Sequence, residues 1–383
     1  MKKIRKLSSL FIRQFAVVLL ISVLLSVAAT GAPPSGISVS ASSAVLMDAS
    51  SGNVLYEKDA HTERPMASTT KIMTALIAIE EYDLKKTVTV SKEAVGVEGS
   101  SVYLYENEKL TMEELVFALM LESANDAATA IAIEIAGSVE EFAELMNEKA
   151  EELGLENTSF ENPHGLDGES HYTTAYDLAK LTAYAMKNEA FRAVVSTYKT
   201  VIPMNNGEGS RLLINHNRLL KSYEGTIGVK TGYTKKSGRC LVTAAEKDGV
   251  MLIAVTLSAP DDWNDHRNML DYGFSRIERL ELVDENGITG LAAVVGGVSD
   301  CVTYASEGTV YADLIKGEHN IRTVIEMSRF YYAPVEAGEL LGRAVFYDGD
   351  TEIASCEIRA ADNVSQKPVK RTFWDWLKSL FGR

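Results

Sequence analysis

Cysteine is scarce in this sequence, with Cys240, Cys301 and Cys356 the only three among 383 residues. Three is too few for a disulfide framework and odd in number. They read as small buried hydrophobes, with a Cys301–Cys356 pair inside one late domain as the alternative. Histidine is sparse and scattered (His61, His164, His171, His216, His266 and His319). No pair of His, Cys or carboxylates takes zinc spacing, so neither a metal nor a cofactor is expected. Basic charge is also short. The net charge is −15, and no basic stretch lies outside the two ends. That excludes nucleic acid as a partner, because such a protein needs a basic face to displace counterions from phosphates. Repeats and low-complexity segments are absent. With 46% hydrophobic and 24% charged residues, the chain is long and apolar enough for two domains with real cores.

Long apolar runs are confined to the start. MKKIRKLSSLFIRQFAVVLLISVLLSVAATGA has a basic lead, an apolar segment from Phe15 to Val27 and small residues from Ala28 to Ala32. That is the layout of a secretory signal peptide over residues 1–32, with an uncleaved anchor as the rival; in both cases the bulk of the chain crosses the membrane. Next, SAVLMDASSGNVLYEKDA reads as a hairpin with a Ser-Gly-Asn turn. Helical patterns follow from Ser68 and over about 111–121, 126–136, 139–153 and 174–188. Strands return at 225–231, 239–246 and 250–258, before a last helical pattern at about 263–275. Strands outside and helices inside predict an α/β domain over 33–278, a mixed sheet closed by both chain ends and flanked by a helical cluster. Residues 279–364 break into short β-branched and aromatic runs separated by Gly-Glu and Asp-Gly turns, the pattern of a small all-β sandwich domain.

The segment 365–383 changes again. From Thr372, a good N-cap, Phe373, Trp374, Trp376, Leu377, Leu380 and Phe381 share one helical arc, while Asp375, Lys378, Ser379 and Arg383 take the other. Preceded by Lys367, Lys370 and Arg371, this predicts an amphipathic helix lying on a membrane surface through residues 372–383. A tail docked on the protein's own core is the alternative.

The chemistry centres on MASTTKIMTALIAIE. At about 100° per residue, Lys71, Ile72, Ala75 and Ile79 share an arc with Ser68, while Thr69, Thr70, Thr74, Glu80 and Glu81 fill the other. A lysine on the face turned to the core must be paired or neutral. A neutral lysine is a base for a serine three residues away. One such quartet means little, since Ser196-Thr197-Tyr198-Lys199 is another, ahead of a strand-like run. Two more elements add weight. Ser123-Ala124-Asn125 sits in the break between two helical patterns, whereas Ser51-Gly52-Asn53 has the same spacing inside a hairpin turn. Lys230-Thr231-Gly232 ends a strand, where a glycine lets a peptide approach the sheet edge.

In this order the three resemble the Ser-x-x-Lys, Ser-x-Asn and Lys-Thr-Gly signature of the penicillin-binding protein and β-lactamase superfamily. With ENPHGLDG at 161–168, the stretch 215–232 and APVEAGELLGRAVFYDGDTEIA, nearly the whole chain resembles the low-molecular-mass D-alanyl-D-alanine carboxypeptidases. The resemblance implies peptidoglycan stem peptide as substrate, β-lactam antibiotics as covalent inhibitors, and peripheral anchoring outside the cytoplasmic membrane. It implies Ser68 as nucleophile, Lys71 as base, Ser123 as proton relay and Asn125 as a holder of Lys71 and substrate. Lys230 and Thr231, with Gly232, would receive the terminal carboxylate, and Lys230 would be the second cation that lowers the Lys71 pKa. Backbone N–H groups of Ser68 and Tyr233 would hold the oxyanion. Arg218 and Arg267 lie where the family tends to place basic residues. His164 reads as structural and Asp126 as a cap of the next helix. Two rivals share the fold: a secreted class A-like β-lactamase, whose Glu-x-x-Leu-Asn loop is replaced here by Glu161-Asn162-Pro163-His164-Gly165, and a non-catalytic wall-binding or penicillin-sensing protein.

Overall fold

A computed structural model describes residues 36–284 and 287–368. The segments read as signal peptide and amphipathic helix lie outside the described residues. Strands β1 (Ser43–Asp48) and β2 (Val54–Lys58) form the expected hairpin, its turn tied by Asp48 Oδ1, which accepts from the backbone N–H groups of Ser50 and Ser51. A 3₁₀ turn, Ala67–Thr70, leads into α1 (Lys71–Glu81). A short ribbon of β3 (Thr87–Thr89) and β4 (Lys109–Thr111) precedes α2 (Met112–Leu121), which opens on a reciprocal Thr111–Glu114 capping box. Helix α3 (Asn125–Ala136) stops at Gly137, whose φ of 90° closes its last turn. Then come α4 (Val139–Glu152), α5 (Ala175–Ala185) and α6 (Glu189–Ser196), with Ser138, Thr174 and Asn188 as side-chain N-caps.

The β5 (Lys199–Met204) and β6 (Gly209–Ile214) hairpin and a one-turn α7 (Leu219–Ser222) lead to β7 (Thr226–Thr234), β8 (Gly238–Lys247), β9 (Val250–Leu257) and α8 (Asp262–Arg276). The sheet order is β2-β1-β9-β8-β7, so both ends of this region do close one sheet. It is not mixed: every pairing in it is antiparallel, because two hairpin systems meet at β1 and β9 with no parallel crossover between them. One face packs on the helical cluster, with α1 at its centre, where Ile72, Met73, Ala75, Leu76, Ile77 and Ala78 are all buried. The other face packs on α8 through Met269 and Leu270. Strand β7 is left at the edge.

Strand β10 (Ile277–Val283) continues directly from α8 and pairs with β13 (Val310–Ile315). The remaining strands are β11 (Thr289–Val295), β12 (Cys301–Ser306), β14 (Ile321–Met327), β15 (Tyr331–Tyr332), β16 (Leu340–Asp348) and β17 (Thr351–Ala360). They form a six-stranded sheet ordered β14-β16-β17-β12-β11-β15, and Val283 and Val310 of the ribbon pack against Phe346 and Ile358. Cysteine departs from expectation. Only Cys240 is buried, Cys301 is exposed, and all three are free thiols, since the outward face of β12 holds Cys301 away from the sheet's core. Among the described residues no helix is long and apolar enough to cross a membrane.

The β5–β6 hairpin, β3–β4 and α6 had no strong sequence signal, because these pieces are short and partly exposed. A buried ion pair holds two of them together. Arg211 of β6 donates from Nη1 and Nη2 to the two carboxylate oxygens of Glu108 at 2.6 and 2.8 Å, and also to the carbonyls of Val102, Tyr103 and Pro203. Burial pushes the Glu108 carboxyl up, but Arg211 and two backbone N–H groups outweigh it and hold it below the ordinary glutamate value. Arg211→Met strands the carboxylate, and urea unfolding is expected to show a loss of about 3–5 kcal/mol. Because the folded pKa is depressed, this contribution is present above the ordinary glutamate range and disappears as pH falls through the lower folded value, so the wild-type–mutant gap narrows in acid.

Candidate active site

Ser68 does not sit on an α-helix. It lies in the 3₁₀ turn, and at about three residues per turn the side chain of Lys71 stacks directly over it. Lys71 Nζ is 3.0 Å from Ser68 Oγ, 2.7 Å from Asn125 Oδ1 and in close hydrogen-bond contact with the carbonyl of His164. Asn125 Nδ2 donates to the carbonyl of Glu98 at 2.6 Å, which fixes the amide with its oxygen toward the lysine. Two of the three neighbours are therefore pure acceptors. A neutral amine has two N–H bonds and one lone pair, and here both N–H bonds are claimed by carbonyl oxygens. Its lone pair can face only the Ser68 hydroxyl.

Lys71 is fully buried, and its pKa is lowered well below the usual lysine value, first by burial and then by the charge of Lys230, against a weaker opposing pull from Asp126. Lys230, on β7, is itself pushed down to about 7 by burial, with Glu122 acting the other way. Its ammonium donates to the Thr231 carbonyl at 2.9 Å. Glu122, at the end of α2, also accepts from Ile214 N at 2.6 Å and faces His216 at 3.3 Å.

The backbone around the serine is held under tension. Ala67 (φ 47°) and Ser123 (φ 60°) adopt the left-handed region without being glycine, a strain of about 1–3 kcal/mol each that surrounding contacts must maintain. For Ala67 those contacts run through a chain. Glu161 N–H donates to His171 Nδ1 at 3.0 Å, which leaves the Nε2 proton facing Thr70 Oγ1 at 2.8 Å, and that hydroxyl donates to the Ala67 carbonyl at 2.8 Å. Burial lowers the His171 pKa to about 4, which keeps the ring neutral and this tautomer intact. Two glycines let neighbouring backbone reach the turn. A Cβ on Gly165 would lie 2.0 Å from the Ala67 carbonyl oxygen, and one on Gly232 would lie 3.0 Å from Ser68 N.

A cleft of about 330 Å³ opens above these groups, lined by Ser68, Ser123, Thr231, Gly232 and Tyr233 from the three motifs, and by Arg218. Lys71, Asn125 and Lys230 lie beneath it, buried. Arg267 is not part of the lining; its guanidinium bonds Ser222 and Asn264 on the outer side of α8. Asp126 is not a cap: it lies one residue inside α3 and accepts from Ser101 Oγ, Val102 N and Leu104 N, holding the loop beside the cleft. His164 serves through its carbonyl, while burial and the Lys71 charge lower its ring pKa to about 3. Ser196 and Lys199 are both exposed, the serine closing α6 and the lysine opening β5.

The lining also holds residues with no motif to mark them: Ser100, His216, Arg239, Asp262 and Trp263. Arg239 donates to Asp262 at 2.9 Å and lies 5.7 Å from the Trp263 ring, with Arg218 5.9 Å from the same ring. Counting across the β7–β8 turn places Arg239 opposite Tyr233, a signal that pairing register alone supplies.

A serine under a buried lysine whose pKa is driven down, an Asn-anchored second motif and a basic edge strand of an antiparallel sheet define a serine acyl-transferase of the penicillin-interacting class. The chain belongs to the D-alanyl-D-alanine carboxypeptidase family, whose model matches residues 27–261. It is similar to D-alanyl-D-alanine carboxypeptidase DacF of Bacillus subtilis, with 35% identity over 352 residues covering 88% of this chain and 90% of that one. Among solved structures it resembles penicillin binding protein 5 from Haemophilus influenzae (26% identity, 87% of this chain, 99% of that chain, TM-score 0.68). It also resembles the peptidoglycan synthesis regulatory factor PBP3 from Streptococcus pneumoniae (25%, 86%, 100%, TM-score 0.74). The protein is thus a serine-type D-Ala-D-Ala carboxypeptidase, a hydrolase with a cell-wall role, and its family acts on peptidoglycan outside the cytoplasm.

The roles expected of the two lysines from the sequence, Lys71 as base and Lys230 as receiver of the carboxylate, set opposite pH limbs. A base must be neutral, so kcat/KM is expected to rise with pH through the lowered Lys71 value and to be established well below the ordinary lysine range. A cation that receives a carboxylate must be charged, so kcat/KM falls as pH rises past about 7, where free Lys230 loses its proton. A peptide ending in a carboxamide lacks that partner, and its pH profile is expected to keep the acid limb and lose the alkaline one.

Proposed function

We propose that Ser68 attacks the carbonyl between the two terminal D-alanines of a peptidoglycan pentapeptide. What supports this above all is the Lys71 amine, buried and 3.0 Å from Ser68 Oγ with both N–H bonds turned to other acceptors. Lys71 takes the hydroxyl proton as the C–O bond forms, and the oxyanion is held by the N–H groups of Ser68 and Tyr233. Ser123 passes a proton to the leaving nitrogen, the C–N bond breaks, and D-alanine departs. Water then cleaves the ester. Asn125 holds Lys71 and the substrate amide, while Gly232 leaves the edge of β7 open for the peptide to add as a strand. Lys230 and Thr231 receive the terminal carboxylate. Arg218 and Arg239, stacked on Trp263, add positive charge at that end of the cleft. β-Lactams are attacked by the same serine and remain as covalent adducts.

A β-lactamase needs a loop carboxylate that activates water. Glu161 here bonds its carboxylate to Ser170 N at 2.6 Å and packs against Gly168, within its own loop. This argues for the carboxypeptidase. We further read residues 1–32 as a secretory leader, 33–278 as the catalytic domain, 279–364 as a β domain, and 365–383 as a peripheral anchor on the outer face of the cytoplasmic membrane.

A covalent adduct with labelled penicillin, followed by release of D-alanine from a pentapeptide, tests the function. Ser68→Ala is expected to lose both, turnover falling by about 10⁴-fold or more; labelling that persisted in Ser68→Ala but vanished in Ser196→Ala would place the nucleophile elsewhere. Lys71→Arg is expected to be nearly as inactive as Lys71→Ala, because a guanidinium keeps its proton, whereas Lys230→Arg retains more turnover. Arg239→Ala is expected to raise KM for carboxylate-ended peptides about tenfold or less with little change in kcat, the pattern of a lost binding contact.

A further inference from the structure

The outward face of an antiparallel sheet is normally polar. Strand β11, next to the short edge strand β15 of the six-stranded sheet, breaks this pattern. Ala292 and Val294 point into the core, while Leu291, Ala293 and Val295 point out, with Leu291 69% and Val295 48% exposed. The parallel partner β15 sets Tyr332 beside Val295, and the Phe330 ring meets the Tyr332 ring edge-on at 5.4 Å. Both rings are open to solvent, Tyr332 at 72%. The result is a continuous apolar strip with aromatic rings at one end.

The chain leaves the described structure at that same end. Val298 N–H donates to the Ser365 carbonyl and Lys367 N–H to the Gly296 carbonyl, both at 2.8 Å, so residues 365–367 run beside the turn that follows β11. From Lys367 to Thr372 the chain spans at most about 17 Å when fully extended. Those few residues include Lys370 and Arg371. A helix over 372–383 lying in a lipid interface therefore draws this end of the sheet to the same surface.

We propose that the strip of Leu291, Ala293, Val295, Phe330 and Tyr332 is a second lipid-contact surface, seated in the membrane interface beside the C-terminal segment; this rests on reading that segment as the anchor. Rings with a polar tip, such as Tyr332, suit the boundary between headgroups and acyl chains. Two contacts in one chain act at high effective concentration, so the strip strengthens binding beyond its own area. It also orients the protein. A tether alone lets the body swing, whereas a tether plus an edge of the sheet fixes which way the catalytic cleft faces.

Cys301 supplies a reporter, since it is exposed and lies directly across from Ala293 on the same face. The test uses the full mature chain with Cys356→Ser, labelled at Cys301 with a polarity-sensitive fluorophore, and vesicles of phosphatidylethanolamine and phosphatidylglycerol. We expect the emission to shift to the blue when vesicles are added, together with sedimentation of the enzyme. A Phe330→Ser/Tyr332→Ser variant is expected to need roughly tenfold more lipid for half-maximal sedimentation, with penicillin labelling and melting temperature unchanged. Sedimentation without a blue shift, and without loss of binding in the double variant, overturns the second contact while leaving the anchor in place. A blue emission already present without lipid, turning red on deletion of residues 368–383, shows the strip covered by the chain's own tail and overturns the proposal. Failure of the intact chain to sediment at all removes the anchor and the second contact with it.

Discussion

An ammonium group taken wholly out of water must be paired with an anion or give up its proton, and the arrangement around Lys71 follows from that constraint. Among the described residues no carboxylate bonds it. Its partners are a hydroxyl, an amide oxygen and a backbone carbonyl; the two carbonyl oxygens accept from a neutral amine as well as from a charged one, and the hydroxyl can donate to its lone pair. Burial and the Lys230 charge tip the balance toward the neutral form. Three separate pieces of chain must meet for this to happen: the 3₁₀ turn, the start of α3 and the Asn-Pro-His-Gly loop.

Each piece brings its own support. Asn125 is oriented by Glu98, the loop is admitted by Gly165 packing on the Ala67 carbonyl, and the turn is tied through Thr70 to a neutral His171. The strain at Ala67 and Ser123 is tolerable because these contacts leave the backbone no alternative. Polar groups buried in such a network stabilise only when all of them are satisfied. The buried Glu108–Arg211 pair is satisfied in the same way, its guanidinium also reaching the carbonyls of Val102, Tyr103 and Pro203.

Much of this was legible in the order of residues. The longer helices and the strands of the five-stranded sheet in the region 43–276 follow from apolar periodicity and N-caps, because local patterns decide them when a core face is available. Ser68, Lys71, Ser123, Asn125 and Lys230 stand out because three short motifs in that order resemble a known signature, not because spacing shows that they meet. The antiparallel character of the sheet was less plain, since short buried strands read alike in either direction. Exposed Cys301 was missed because a cysteine carries no sign of which face of a strand it takes.

What the sequence supplied by itself is a set of residue types in order, Ser68 and Lys71, Ser123 and Asn125, then Lys230 to Gly232, whose resemblance to a known signature pointed to one site. What only the tertiary structure decided is how that chemistry is held. Ser68 rides on a 3₁₀ turn, and the third partner of Lys71 is a backbone carbonyl, a group every residue possesses and no motif can flag. His216, Arg239, Asp262 and Trp263 gather at the cleft from segments whose register is set by long-range packing. Arg267, close to them in sequence, turns the other way. Pairing across a sheet and the rotation of a helix are fixed by contacts between distant segments, so the residues they bring together leave no mark in the local order of the chain.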